Sequence, residues 1–440
     1  MSRSRAILLS GSLGLGHEML VRSCAALLER SGWSVESLDC MSLLGRCCGA
    51  AGQRIFTRTV RALPGAYDAL HFSHLRAGSR LARALDTSAS ARLTPALREV
   101  FAHHPPDLVL SVFATGASGA AKLRASGELH APAVVLCTDV TLHRLWVQPG
   151  TDLFLSTSPA AGASVLRYLP RANVAVVPPP VRPAFYEAPG REKARAELGL
   201  PRDAPCALVI DSGWGFGPLD ARVAALARAG IYVLAVAGRK CDVERRFRAL
   251  AATDEHVLAF GFVDDVPLLM AAADVVVALP GATTCSEARV VGRPLLLLDS
   301  MPGHGRENLL HELELGDARA AGPAPGDLVE SALALLEAPA DHAPRERLPR
   351  WEPAFAEALA RVGVDLHTGA DPGTGADLGG GAKVDPPTRA VALGAPPEPL
   401  RPAGLSWAAP AGGTDGTCDA GGTRDAGDGR LSGLISAERC

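Results

Sequence analysis

The chain of 440 residues lacks any apolar run approaching the ~18–20 residues of a membrane span. Its longest such stretches, of the kind at 274–279, are far shorter. It lacks a basic excess. Lys plus Arg number 44 against 47 Asp plus Glu, a net charge of -3, which excludes a general nucleic-acid binder. Ten cysteines are present, but no two form a C-x-x-C pair, so neither a zinc ribbon nor a thioredoxin-type site is announced. The body also lacks a D-x-D motif suited to holding a metal. Aromatics are sparse at 5%, yet 48% of residues are hydrophobic, ample for a large core. The apolar stretch near Met1 is too short for a signal-peptide core, and glycines interrupt it at once. The expectation is a cytoplasmic protein with reduced, scattered thiols.

Composition changes near Leu366. Residues 368–440 hold 16 of the 46 glycines and 8 of the 34 prolines, with a single aromatic, Trp407. Such a segment cannot bury enough apolar surface to offset its ordering entropy, and a disordered tail is expected. Residues 1–367 alternate strand and helix patterns, the rhythm of parallel sheets with crossover helices. Strands are expected at 5–10, 34–39, 107–113, 132–138 and 153–157. A second set is expected at 206–211, 232–237, 256–260, 274–279 and 294–299. A proline-rich stretch at 177–183 separates the two sets. Each set opens with strand, glycine loop and helix, the first loop around Gly14 and Gly16, the second around Gly213, Gly215 and Gly217. The reading is α/β with two Rossmann-like domains: 1–178, a linker 179–204, a second domain 205–345, a carboxy-terminal helix in 346–367, and the tail 368–440.

A glycine loop before a helix brings backbone N–H groups to an anion, and the helix dipole adds to the attraction. The loops alone fit simple tight turns equally well. Asp39 ends the second strand where a dinucleotide-binding acid would stand, but Gly11, Gly14 and Gly16 do not follow the G-x-G-x-x-G order. A third site is more informative. Pro280-Gly281 leads from a buried strand into a helix with Thr283 as the expected N-cap and Glu287 one turn inside. A carboxylate there can accept two hydrogen bonds from a vicinal diol such as a ribose.

Taken in order, several motifs carry a resemblance. They are Ser12-Leu-Gly-Leu-Gly-His17; Thr138-Asp139 with His143 and Trp146; Val181-Arg-Pro183; Gly213-x-Gly-x-Gly-Pro218; Gly261-Phe-Val-Asp-Asp265; Pro280-Gly281 with Glu287-Ala288; and Pro302-Gly303 with Asn308. The set resembles the monogalactosyldiacylglycerol synthase family, which includes processive diacylglycerol glucosyltransferases, over about residues 5–340. The resemblance implies a GT-B fold, two Rossmann-like domains facing across a cleft. It implies transfer of a hexose from a UDP-sugar to a lipid acceptor, with inversion and no metal or other cofactor. On the donor side the resemblance implies Phe262, Val263, Gly281, Glu287 and Asn308. The residues themselves add the loop at Gly213, Gly215 and Gly217, the helix start at Thr283 and Thr284, and Arg239 as groups to meet a diphosphate, with His304 standing where the family has a glutamine. On the acceptor side it implies Gly14, Gly16, His143 and Trp146. His17, at a helix start where the dipole keeps imidazole neutral, is the expected base, with Asp139 as second choice. Two other readings stay open: a soluble acceptor, and a nucleotide-sugar-binding protein without turnover.

The sequence departs from the family pattern where a cation is usual, at Leu279, and again at Ala282 and His304. Seven arginines and one acid lie between Arg46 and Arg83. On a helix, Arg54, Arg58 and Arg61 share one face and Phe56 and Val60 the other. That pattern suits contact with an anionic membrane surface, and the protein is expected to sit peripherally on the inner face of the plasma membrane.

Overall fold

A computed structural model describes residues 3–11, 15–44, 58, 60, 62–137, 139–211, 219–298, 302–322, 324–337 and 348–366. Gly14, Gly213, Gly215, Gly217, Arg54, Phe56, Arg61 and the expected tail lie outside these residues.

The first half carries β1 (Arg5–Ser10), β2 (Ser34–Asp39), β3 (Leu108–Ser111), β4 (Ala133–Cys137), β5 (Leu153–Ser156) and β6 (Val174–Val176). They form one sheet in the order β2-β1-β3-β4-β5-β6. The second half carries β7 (Cys206–Ile210), β8 (Tyr232–Val236), β9 (Val257–Phe260), β10 (Val275–Ala278), β11 (Leu295–Leu298) and β12 (Ala318–Ala321). Their order is β12-β11-β10-β7-β8-β9. Every pair is parallel. Parallel sheets have helices on both faces, which is why central strands such as Val-Val-Val-Ala at β10 and Leu-Leu-Leu-Leu at β11 are apolar throughout and buried. In each sheet the strand order reverses beside the first strand of its half, and ligands of open α/β sheets bind outside the carboxyl ends at that switch point. This is the expected pair of Rossmann-like halves.

The segment read as a linker is more than a tether. Its helix Arg191–Leu198 packs on the second half, where the buried Arg195 meets Asp274 at 2.6 Å and donates to the Ala272 carbonyl. The carboxy-terminal helix Glu352–Ala360 returns to the first half. Trp351 and Phe355 are fully buried there beside Leu108, Leu110 and Leu153, and the indole N–H of Trp351 donates to the Val181 carbonyl at 2.9 Å. No described helix is long and apolar enough to cross a membrane.

Candidate active site

The carboxyl ends of both sheets border one cavity of ≈ 200 Å³, lined from the first half by Gly16, His17 and Asp139. His17 stands in the first turn of the helix Leu15–Arg30, which follows β1 directly. Its ring meets Phe113 edge-on, centroids 5.6 Å apart. Gly11 allows that placement of Phe113, because a Cβ there would lie 2.6 Å from the Phe113 ring. Burial holds the His17 imidazole below its ordinary pKa; Asp139 and the Val112 carbonyl pull the other way, and His304 adds to the lowering. The ring is thus neutral near pH 7, and its Nδ1 has no hydrogen-bond partner among the described residues.

The second half contributes the end of β7, the turns after β9 and β10, and the starts of two helices. Phe262, Val263, Gly281, Thr283, Thr284, Glu287, His304 and Asn308, all named from sequence, line the cavity. The helix is Ala282–Val291 and its N-cap is Gly281, not Thr283. No side chain among the described residues caps it, and the Thr283 hydroxyl instead donates to the Gly16 carbonyl across the cleft at 3.5 Å. The first-turn amides are therefore left to the cavity. Glu287 is buried, with Arg182 3.4 Å from its Oε1. Burial pushes its carboxyl up to about 7, against the opposing pull of Arg182.

Three expectations are corrected. Arg239 does not line the cavity; it forms a two-pronged ion pair with Glu18 at 2.8 and 3.1 Å across the cleft and stacks over Phe262. Trp146 is 3% exposed and packs among Leu142, Val147, Phe154 and Val165, so it is core rather than cleft wall. His143 sits beside it and beside His71, outside the cavity lining, its imidazole pushed down to about 4 by burial. At the expected membrane face, Arg58 is exposed but Val60 is 1% exposed and turned into the protein.

Other residues came unannounced. Arg182 lines the cavity, although its motif was read only as a resemblance. Asp211, also a lining residue, lies 3.3 Å from the Lys240 ammonium. Leu279 lines the cavity as an apolar group and Arg182 lines it as a cation, while Lys240 stands outside the lining, behind Asp211. The helix Pro64–Leu70, continued by a wider turn over His71–Leu75, reaches across to the second half. His71 Nε2 lies 2.9 Å from Glu307, Asp68 accepts from the Gly303 amide, and Arg76 pairs with Glu307. Asn308 accepts from the Val140 amide at 3.3 Å.

Two Rossmann-like halves with the cavity at their switch points define a GT-B protein. Residues 72–181 match the family model "Monogalactosyldiacylglycerol (MGDG) synthase", and residues 219–321 match "Glycosyltransferase family 28 C-terminal domain". The two matched segments are similar to these families, in agreement with the resemblance seen in the motifs. It is similar to a probable monogalactosyldiacylglycerol synthase 2 of Oryza sativa subsp. indica, 27% identical over 197 residues, 42% of each chain. It is also similar to a processive diacylglycerol beta-glucosyltransferase of Bacillus pumilus, 24% identical over 245 residues, 55% of this chain and 63% of the relative. The chain therefore spans less than two thirds of these relatives. Among solved structures, a putative UDP-N-acetylglucosamine 2-epimerase from Listeria monocytogenes superposes with a TM-score of 0.53 at 14% identity, covering 82% of this chain and 96% of that one. That likeness concerns the fold alone.

Proposed function

We propose that the protein is an inverting glycosyltransferase that moves a hexose from a UDP-sugar to a hydroxyl of a lipid acceptor such as diacylglycerol. One observation carries the reading. A neutral histidine on one half faces, across a single cavity, an uncapped helix start and a buried carboxylate on the other. The names of the rice and Bacillus relatives support the same chemistry.

In this reading Glu287 accepts hydrogen bonds from the ribose hydroxyls, and the backbone at Phe262 and Val263 holds the uracil. The diphosphate lies against the amides of Thr283 and Thr284, where the helix dipole favours negative charge. His17 takes the proton of the acceptor hydroxyl as that oxygen bonds to the anomeric carbon. The bond to the diphosphate breaks on the opposite face, its electron pair leaving with UDP, and the configuration inverts. Helix amides and Arg182 offset the growing charge of the leaving group. No resident cofactor takes part, and UDP-sugar is a substrate. The apolar Leu279 favours one second reading, a nucleotide-sugar-binding protein that does not turn over.

The membrane face belongs to this proposal in revised form. Leu63, Phe72, Leu81 and Leu85 are exposed on the stretch that also carries the exposed Arg58, Arg80 and Arg83. Exposed apolar side chains with cations on the same stretch suit an anionic lipid surface, and the protein is proposed to work peripherally on its cytoplasmic side. Calorimetric titration of the purified chain with UDP-, GDP- and dTDP-hexoses tests the donor assignment. UDP-hexose should bind tightest, and binding of none of them would end the reading.

A further inference from the structure

Tyr67, Asp68 and His71 lie on one segment of the first half and meet the turn at 302–303 and the first turn of the helix His304–Glu314 of the second. The Tyr67 hydroxyl is 3.3 Å from Nδ1 of His304, with the two rings edge-on at 6.3 Å. Asp68 accepts from the Gly303 amide at 2.6 Å and pairs with Arg306 at 3.1 Å. Gly303 adopts φ +67°, and a Cβ on it would come within 2.5 Å of the Tyr67 ring. The turn that presents His304 is thus seated directly on Tyr67. His304, in turn, lines the cavity.

We propose that Tyr67 is a positioning residue: its hydroxyl donates to Nδ1 of His304, so that His304 offers its Nε2–H to the sugar–diphosphate end of a bound nucleotide sugar. The inference rests on the cavity being the UDP-sugar site. A neutral imidazole has one donor and one acceptor nitrogen, and the hydrogen bond at one fixes the role of the other. Burial, together with Asp139 and Asp68, raises the Tyr67 phenol above its ordinary range, so it keeps its proton. Burial lowers the His304 imidazole, against the pull of Asp139, so the ring stays neutral. A neutral ring that accepts at Nδ1 carries its proton at Nε2, the nitrogen left for the cavity. There it faces the oxygens of an anionic leaving group or a sugar hydroxyl.

The consequence is a division of labour. The second half holds the nucleotide through Glu287 without help. The sugar end is completed only when Tyr67 of the first half is in place.

The test uses the full chain labelled with ¹⁵N at histidine, His304→Gln identifying the His304 resonances. The wild type should show Nδ1 unprotonated and Nε2 protonated, and Tyr67→Phe should show a mixture of tautomers. UDP alone should bind Tyr67→Phe within twofold of wild type, and UDP-hexose about tenfold more weakly, the loss of one buried hydrogen bond. The double variant Tyr67→Phe/His304→Gln should be no worse than His304→Gln. A wild-type ring protonated at Nδ1, or losses that simply multiply in the double variant, would overturn the proposal. A tautomer that responds to Tyr67→Phe while no nucleotide sugar binds would leave the Tyr67–His304 lock standing and overturn the UDP-sugar assignment instead.

Discussion

Replacing Glu287 by glutamine sets folding against binding. The carboxyl is buried, and its pKa lies at about 7 rather than the ordinary 4.5. Between those pH values the folded chain keeps a proton that the unfolded chain releases. Stability therefore falls as pH rises through that window and stays lower above it. The gap corresponds to about 3 kcal/mol at ~1.4 kcal/mol per pH unit, a ceiling for what Glu287→Gln can recover at pH 8. Below pH 4.5 the variant should gain nothing. Binding runs the other way, because ribose hydroxyls donate to the ionised form. Wild-type affinity for UDP should drop about tenfold from pH 8 to pH 6, as the ionised fraction falls by a similar factor. The glutamine variant should bind about 10- to 100-fold more weakly at pH 8, the worth of one charge-assisted hydrogen bond, with little dependence on pH. Calorimetry with UDP and thermal melts at pH 5, 6, 7 and 8 check both halves. Equal pH profiles for the two proteins would refute the assignment of Glu287 to the ribose.

The fold was legible because its signals are local. β1 and β2 match their expected bounds, since each is a short strand closed by a glycine turn or a cap. β6 was missed because only Val174-Ala-Val176 precedes the prolines. β12 was missed because Ala-Arg-Ala-Ala carries no strand preference. Within the site, His17 and Glu287 announce themselves by their place at helix starts. The Tyr67–His304 and His71–Glu307 contacts join residues about 236 apart and exist only once the two halves face each other. Trp146 misled because a motif tryptophan looks the same in a core as in a cleft. Arg239 misled because its partner, Glu18, lies on the other half.

His17→Ala should lower turnover by at least about a thousandfold while UDP affinity stays within twofold, measured by product formation and calorimetry. Trp351→Ala removes a fully buried indole and its hydrogen bond to Val181, and should cost about 3–5 kcal/mol in denaturant melts. Replacing Leu81 and Leu85 by serine should weaken co-sedimentation with anionic vesicles several-fold, and so should neutralising Arg58, Arg80 and Arg83; insensitivity to both would remove the membrane face. Treatment with EDTA should leave turnover unchanged, and a loss restored by added divalent cation would contradict transfer without a metal.

The central claim is hexosyl transfer from a nucleotide to a lipid hydroxyl. The most direct measurement incubates the purified chain with UDP-hexose and vesicles containing diacylglycerol. Mass spectrometry and NMR then follow the lipid, its anomeric configuration and the released UDP. The account predicts hexosyl-diacylglycerol of inverted configuration, formed in step with UDP and absent with His17→Ala. UDP-hexose that binds but yields no glycolipid, or a product with retained configuration, would contradict it.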